Sequence, residues 1–128
     1  MLPTQHRLRH SADIGLVRQR GQRWQHPIVV LFVYIQPQES ATASRFAIAV
    51  GRHIGKATRR NRVKRRIREI LRVRLSDMAA GYDCLIVARA GAATASFGEL
   101  EGALVQLLSR SGILPEKPVS SDVEGSLS

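Results

Sequence analysis

Residues 52–74 read RHIGKATRRNRVKRRIREILRVR, and the rest of the chain is best understood from this basic segment. The segment holds eleven Lys or Arg residues and one acid, Glu69, so its formal charge is +10. The whole chain has 20 basic and 10 acidic residues, which is also +10. The net charge is therefore confined to one segment, which indicates an electrostatic contact surface there.

The same segment has the pattern of an amphipathic helix. Gly55 supplies a turn, and the spacing that follows predicts a helix from about Ala57 to Met78. Its apolar stripe consists of Val63, Ile67, Ile70, Leu71, Leu75 and Met78. Arg65, Arg68 and Arg72 lie on the face opposite the stripe, which predicts a buried side and a cationic side.

Strands are predicted on both sides of this helix. In Arg45–Gly51 the large residues Phe46, Ile48 and Val50 alternate with alanines and glycine, so the large set belongs to the core. The small set leaves room for something to lie close, either a helix or a bound strand. Tyr82–Ala88 is an apolar run, and the strand–helix–strand order predicts parallel pairing of the two strands.

The N-terminal part of the chain predicts a short helix and one long strand. Ser11 is the expected N-cap of a helix to about Arg20, with Asp13 in its first turn and Gly21 as its stop. The run Ile28–Ile35 is rich in β-branched residues and is predicted to be a strand. Residues 37–43 are polar and broken, which predicts a hairpin loop.

The C-terminal part predicts a last helix and a tail. The helix begins at Ser96, with Glu99 at the position of a capping box. From Pro115 the composition changes to Pro, Ser, Gly and acids. We therefore expect one domain over residues 1–113 and a disordered tail over 114–128.

Length and composition are those of one small soluble domain, with 128 residues of which 44% are hydrophobic. The first ten residues lack the apolar run of a signal peptide, and Ile28–Ile35 is too short to cross a bilayer. Cys84 is the single cysteine and is predicted to be a small core residue. It cannot form an internal disulfide, which favours a cytoplasmic location.

The character of the basic segment favours nucleic acid as the partner. An ordinary amphipathic helix is the simplest alternative, but like-charged neighbours such as Arg62 and Arg66 destabilise a helix unless an external anion compensates them. The segment has nine arginines and two lysines, and guanidinium groups bind phosphate through two parallel hydrogen bonds. It has no aromatic residue, which disfavours a membrane surface.

The run from Val50 to Glu69 resembles the signature of the bacterial ribonuclease P protein subunit. In that family a strand ends in a basic pair, and I/V-G-x-A then leads into R-N-R-x-K-R-x-x-R on a helix. The matching residues here are Arg60, Asn61, Arg62, Lys64, Arg65 and Arg68. Further matches, over about residues 7 to 110, are Arg7-Leu8, Asp13, Gly21 and the strand Asp83–Arg89.

The resemblance implies an α+β fold of two layers, with a mixed four-stranded sheet packed against three helices in the order αβββαβα. It also implies a left-handed crossover through the basic helix, against the usual rule. The implied function is that of protein cofactor of ribonuclease P, the ribonucleoprotein endonuclease that removes the 5′ leader from precursor tRNA. Catalysis would belong to the RNA component and its Mg²⁺.

The implied partners are the catalytic RNA subunit, at about 1:1, and precursor tRNA, with no membrane, no DNA and no cofactor bound by protein residues. The RNA contacts would be Arg52, His53, Lys56, Arg59, Arg60, Asn61, Arg62, Lys64, Arg65, Arg66, Arg68 and Arg72. A cleft between the first helix and the sheet would hold the single-stranded leader. Its residues would be Ile14, Val17, Arg18, Phe32 and Arg52.

The first helix departs from the family pattern, which usually places aromatic residues where the leader passes. Here those positions are Ile14 and Arg18, so base stacking worth about 1–3 kcal/mol per base is lost there. Phe32 or Tyr34 would supply a replacement surface, depending on strand register, and Phe32 is favoured. In addition, the basic pair is Arg52-His53, and Gly51 stands where a small hydroxyl residue is usual.

Two other functions are compatible with the charge. A protein-only nuclease needs metal-binding carboxylates or a histidine pair, but Asp77 and Asp83 merely flank a turn. His6 and His10, spaced i,i+4, would share a helix face without a third ligand, so neither a metal site nor a catalytic residue is predicted. The other alternative is a structural RNA-binding protein of ribosomal or assembly type.

Overall fold

The computed structural model describes residues 2–115, and its elements follow the predicted αβββαβα order. They are α1 (Ser11–Arg20), β1 (Gln22–Gln25), β2 (Val29–Ile35), β3 (Arg45–Ala49), α2 (Ala57–Arg72), β4 (Tyr82–Ala88) and α3 (Phe97–Arg110). The α+β class, with three helices and a mixed four-stranded sheet, is confirmed.

The sheet has the strand order β1-β2-β4-β3. β3 and β4 are parallel, as predicted, and the other pairs are antiparallel. β4 is central and buries Cys84 and Ile86 on one face and Leu85 on the other. A strand buried on both faces reads as a continuous apolar run, which is the pattern of Tyr82–Ala88. The handedness of the β3–α2–β4 crossover stays a prediction.

The predicted hairpin between the second and third strands is wrong, because β4 lies between them. The connection must cross the end of β4, and the Gln36 side chain secures it there. Gln36 accepts a hydrogen bond from the Thr42 amide at 2.7 Å and donates one to the Asp83 carboxylate at 2.8 Å. The polar composition of 37–43 marked a loop correctly, but a loop does not specify which strands become neighbours.

Helices cover both faces of the sheet. α2 and α3 pack on one face over the larger core, which includes Leu31, Ile67, Ile86 and Leu104. α1 packs on the other face over a smaller cluster centred on Leu8, Val17 and Leu85. α1 thus adds a partial third layer to the two expected.

The basic helix is shorter than predicted and ends at Arg72 rather than Met78. A 3₁₀ turn follows at Leu75–Asp77, and Leu75 and Met78 still pack against the core. The Arg74 guanidinium donates to the Ile70 carbonyl at 2.9 Å and to Glu101 at 2.7 Å. These bonds satisfy an unpaired carbonyl at the helix end and tie it to α3.

The ends of the other helices only partly follow prediction. The α3 capping box is confirmed: Ser96 Oγ accepts from the Glu99 amide, and Glu99 accepts from the Ser96 amide. In α1, however, the N-cap is His10 and Ser11 makes no side-chain cap. Gly21 follows α1 because a Cβ there would collide with the Val17 carbonyl oxygen and approach that of Val33 within 3.1 Å.

The two ends of the described chain are tied to the fold. Arg7 bridges to Phe46 of β3, so the N-terminal segment covers the edge of the sheet. Leu114 is buried, which places it with the domain rather than with the predicted tail. The rest of that tail, from residue 116, lies outside the described residues. No helix within residues 2–115 is long and apolar enough to cross a membrane.

Candidate nucleic-acid interface

The α2 helix separates its two predicted sides. Val63, Ile67, Ile70 and Leu71 are buried against the core. The predicted RNA contacts of the basic segment all keep some exposure. Arg52, His53, Lys56, Arg59, Asn61, Arg62, Arg65 and Arg72 are exposed, whereas Arg60, Lys64, Arg66 and Arg68 are half-buried.

The start of α2 is a positively charged depression. Gly55 has φ of +131°, a conformation that side-chain-bearing residues rarely adopt, and it lets the chain turn into the helix. No side chain caps the first turn, which also contains no acid. Lys56, Arg59 and Arg62 surround a hollow of about 320 Å³ here. Free amides and the helix dipole add to this positive potential, so the hollow suits an anion.

The residues before α2 form a 3₁₀ turn, Arg52–Ile54, which places Arg52 and His53 outward. A Cβ at Gly51 would lie 2.8 Å from His53 Nδ1. The histidine ring therefore occupies the space that the hydroxyl side chain usual in the family would need.

Some of the basic side chains already have partners. Arg66 donates to the Ala95 carbonyl oxygen at 3.1 Å. Arg72 forms a two-pronged ion pair with Glu69, with N–O distances of 2.6 and 3.1 Å. That pair lowers the pKa of Glu69 and raises the pKa of Arg72. Arg60 differs, because its buried Nε has no hydrogen-bond partner in the described part of the chain.

Part of the α1 face of the sheet is left partly exposed beside α1, and we call this surface the sheet cleft. Its partly buried apolar floor consists of Phe32, Ala47, Ala49 and Val87. The strand register puts Phe32, Leu85 and Ala47 in one row and Val87 and Ala49 in the next. Ile14 and Arg18 of α1 border it. Ala47 and Ala49 of β3 pack at the margin of the α1 cluster and stay partly exposed, so the choice between a helix and a bound strand on this face stays a prediction.

Arginines lie at both ends of the sheet cleft. At the β3 edge, Arg7, Arg9 and Arg68 surround a hollow of about 310 Å³ that also contacts Ile14 and Ala47. Arg68 therefore belongs to the basic helix and to the margin of the cleft. At the other end, the Arg18 guanidinium lies 5.8 Å from the centre of the Phe32 ring.

The predicted leader contacts need two corrections. Val17 is the side chain that α1 buries against the sheet, and because it is fully buried it cannot contact a ligand. Phe32 and Tyr34 are not alternatives, because residues two apart in a strand share a face, and both lie on the α1 side. Arg23 of β1, which the sequence did not single out, also lies beside Phe32, with its guanidinium 5.9 Å from the ring centre. The register of the short strand β1, which carried no clear sequence signal, creates that contact.

The acids near the cleft are structural. The Asp83 carboxylate accepts two hydrogen bonds from Arg45, at 2.9 and 2.7 Å, and one from Gln36. The hydrogen bond to Asp83 raises the pKa of Arg45. Asp83 is buried and fully engaged, so it is not free to bind a metal ion or act as a base.

Within residues 2–115, no group of three or more His, Cys, Asp or Glu side chains gathers at one point. The predicted shared helix face of His6 and His10 is wrong. His6 ends a 3₁₀ helix, and its Nδ1 forms a hydrogen bond with the Ser44 carbonyl oxygen at 2.8 Å. His10 is the N-cap residue of α1, where its side chain makes no capping hydrogen bond. Cys84 is fully buried, and desolvation raises the pKa of its thiol, so it is an unreactive core residue.

Comparison with known proteins assigns the chain to a family. Residues 2–112 match the family described as "Ribonuclease P". The "Ribonuclease P protein component" of Herpetosiphon aurantiacus is 34% identical over 121 residues, covering 93% of this chain and 96% of that one. Its counterpart from Brevibacillus brevis is 36% identical over 114 residues and covers 89% of each chain.

Solved structures agree. The RNase P protein from Thermotoga maritima is 31% identical, with a TM-score of 0.72 over 81% of this chain and 96% of that one. The Staphylococcus aureus RNase P protein shares the fold, with a TM-score of 0.77 over 85% of this chain and 97% of that one at 24% identity. The chain therefore belongs to the bacterial ribonuclease P protein family.

Proposed function

We propose that this protein cofactor of ribonuclease P divides its work in tRNA 5′ maturation between two surfaces. The basic face of α2 holds the RNA subunit, at about one protein per RNA, and the sheet cleft holds the leader of precursor tRNA. The observation that carries the proposal is that α2 buries its apolar stripe and presents cationic side chains with a single acid among them. The enzyme complex works in the cytoplasm, consistent with a lone buried cysteine.

Phosphate contacts account best for the basic face. The spread of arginines along the helix suits the backbone of a folded RNA, which such contacts position without reading its sequence. The hollow at Lys56, Arg59 and Arg62 takes one phosphate, aided by the free amides at the start of α2. Arg60 is half-buried beside this hollow in sequence, and its Nε has no hydrogen-bond partner in the described part of the chain, so the side chain is not committed to another protein group.

Arg72 contributes less to RNA binding than the family pattern implies. Its guanidinium fork is already occupied by Glu69, so binding a phosphate would first require breaking that pair. Arg66 is similarly held by the Ala95 carbonyl, although it keeps donors free for RNA. We therefore place the strongest contacts in the first half of α2, around Arg59, Arg60 and Arg62.

The sheet cleft suits a single strand. Its floor of small and apolar side chains leaves room for unpaired bases, and arginines at both ends can donate hydrogen bonds to backbone phosphates. Ile14, Arg18, Phe32 and Arg52 remain the proposed leader contacts. Arg68 joins them from α2, because it lies at the margin of the cleft.

The protein supplies no catalytic group in this proposal. Cleavage belongs to the RNA subunit and its Mg²⁺, and arginines close to packed phosphates would lower the electrostatic repulsion that opposes substrate docking. The Asp83 carboxylate, on the same side of β4 as Leu85 and Val87, is neutralised by Arg45, which supports this assignment.

The test is to incubate precursor tRNA with the protein alone, with a bacterial ribonuclease P RNA alone and with both, at graded Mg²⁺ concentrations. We expect no cleavage by the protein, slow cleavage by the RNA at high Mg²⁺, and faster cleavage by both at low Mg²⁺. Cleavage by the protein alone would overturn the assignment of chemistry. An unchanged Mg²⁺ requirement at low salt would overturn the electrostatic account.

A further inference from the structure

The Phe32 ring is flanked by two guanidinium groups from different elements. Arg18 reaches it from α1 with its Cζ 5.8 Å from the ring centre, and Arg23 reaches it from β1 at 5.9 Å. Arg23 lies directly opposite Phe32 in the β1–β2 ladder. Both arginines are exposed and the ring is half-buried. The three residues thus form an accessible group at one end of the sheet cleft.

This arrangement leaves two positive charges uncompensated. Within residues 2–115, neither Arg18 nor Arg23 pairs with a carboxylate or donates a hydrogen bond to the protein. Each is held only by the ring, which is a weak attraction at an exposed site. Two like charges brought to one ring repel each other, so the group favours an anion that bridges them.

We propose that Arg18 and Arg23 clamp one backbone phosphate of the leader, with Phe32 as the spacer that orients both guanidinium groups. The inference rests on the proposed function and adds a residue, Arg23, and a mode of contact to it. Because guanidinium groups already stand over the Phe32 ring, the ring is a support rather than the platform for a base. A phosphate contact carries no base identity, so this end of the cleft reads the backbone alone.

The test uses precursor tRNA whose leader carries a single neutral methylphosphonate linkage, moved one position at a time. Binding is measured with the enzyme reconstituted from the protein and a bacterial ribonuclease P RNA. For the unaltered protein, we expect one linkage at which neutralisation weakens binding about fivefold. In the double variant Arg18→Gln, Arg23→Gln, the charged leader should bind about fivefold more weakly, and that linkage should no longer matter.

Salt dependence gives a second readout. The slope of log affinity against log salt should fall by about 0.7 in the double variant, the value for one phosphate contact with a single strand. Arg18→Lys with Arg23→Lys should retain most of the slope, because charge is kept. Arg110→Gln is the matched control, since Arg110 lies 5.9 Å from the Trp24 ring centre on the other face of the sheet. Thermal unfolding of each variant verifies that the fold is intact.

Three outcomes would overturn the clamp. The first is a leader position at which an abasic nucleotide weakens binding and a methylphosphonate linkage does not. That result would mean that Arg18, Phe32 and Arg23 stack on a base instead of binding a phosphate. If the double variant binds the leader as tightly as the unaltered protein, the clamp is wrong, but the proposed leader site in the sheet cleft still stands. Equal binding of substrates with and without a leader by the unaltered protein would overturn both the clamp and the leader site of the proposed function.

Discussion

The basic face of α2 and the sheet cleft are both built for RNA, but the fold makes them in different ways. The basic face comes from one continuous helix, with its cationic residues within the single range Ala57–Arg72. The cleft combines α1, β2, β3 and β4, and its floor depends on strand register. The first surface is therefore encoded locally, and the second exists only when the whole sheet has formed.

The two surfaces also differ in what supports them. α2 buries four aliphatic side chains in the larger core, which it shares with α3. α1 buries only Val17, within a cluster whose other fully enclosed members are Leu8 and Leu85. Local stability follows buried apolar area, so the wall of the cleft should open more readily than the basic helix. A binding site for a variable leader tolerates such motion better than a docking surface for a folded RNA.

The largest expected effect is on stability. Ile67→Ala should lower the free energy of unfolding by about 2–5 kcal/mol, because it leaves a cavity between α2 and the sheet. Val17→Ala, the matched change under α1, removes less buried surface and should cost about 2 kcal/mol. Denaturant unfolding measures both. Amide hydrogen exchange in the unaltered protein should be faster in α1 than in α2. Slower exchange in α1 would contradict the claim that the wall of the cleft opens more readily than the basic helix.

The next effect concerns the RNA subunit. Arg60→Ala combined with Arg62→Ala should weaken binding of that RNA about 100-fold at low salt, since each charged contact is worth about 1.5 kcal/mol. Filter binding across a salt series should show a flatter slope. Arg72→Ala is the control and should change affinity little, because Glu69 already engages that side chain. If all three arginines contribute equally, the proposed order of contacts along α2 is wrong.

A smaller effect isolates the cleft. Ala49→Leu should fill part of its floor and reduce the affinity gained from the leader about tenfold, by excluding a base worth about 1–3 kcal/mol of stacking. Binding of a leaderless substrate should not change. Ala12→Leu, on the exposed side of α1, makes the same substitution outside the cleft. An equal loss with both substrates would mean that Ala49 supports the fold rather than the leader.

The smallest expected effect is a gain in affinity for the RNA subunit. Glu69→Gln should release Arg72 and raise affinity for the RNA subunit about threefold, with a steeper salt dependence. The pair lowers the pKa of Glu69, so it persists above the ordinary pKa of a glutamate and is lost only as pH falls through that lower value. The comparison at neutral pH therefore reports on an intact pair. Glu39→Gln, which removes one charge outside α2, should leave affinity almost unchanged.

Local patterns in the sequence predicted the parts of the fold that depend on one segment. The stripe from Val63 to Leu71, the capping box at Ser96 and the parallel β3–β4 pair all follow from spacing or order along the chain. The family resemblance, rather than periodicity, supplied the fourth strand. β1 is short and polar and contains one large apolar side chain, Trp24, so it has little pattern to detect.

The failures concern relations between segments. The hairpin was predicted from the polar, broken composition of residues 37–43, but β4 takes the position between β2 and β3 in the sheet. Just past the end of the basic helix, Arg74 pairs with Glu101 on another helix, and no pattern within the basic segment indicates that contact. Arg23 gave no sequence signal as a site residue, because its contact with Phe32 exists only through strand register. The basic helix could be predicted from the sequence because its whole pattern lies within one continuous segment.

The central position of β4 also sets an order of events during synthesis. β2 can pair with β1 as soon as both have been synthesised, but β3 has no partner in the sheet until β4, which follows α2 in the chain, has left the ribosome. The nascent chain thus displays its basic helix before the sheet that supports it can close. The floor of the sheet cleft is complete only when β4, at residues 82–88 of the 128, has been added.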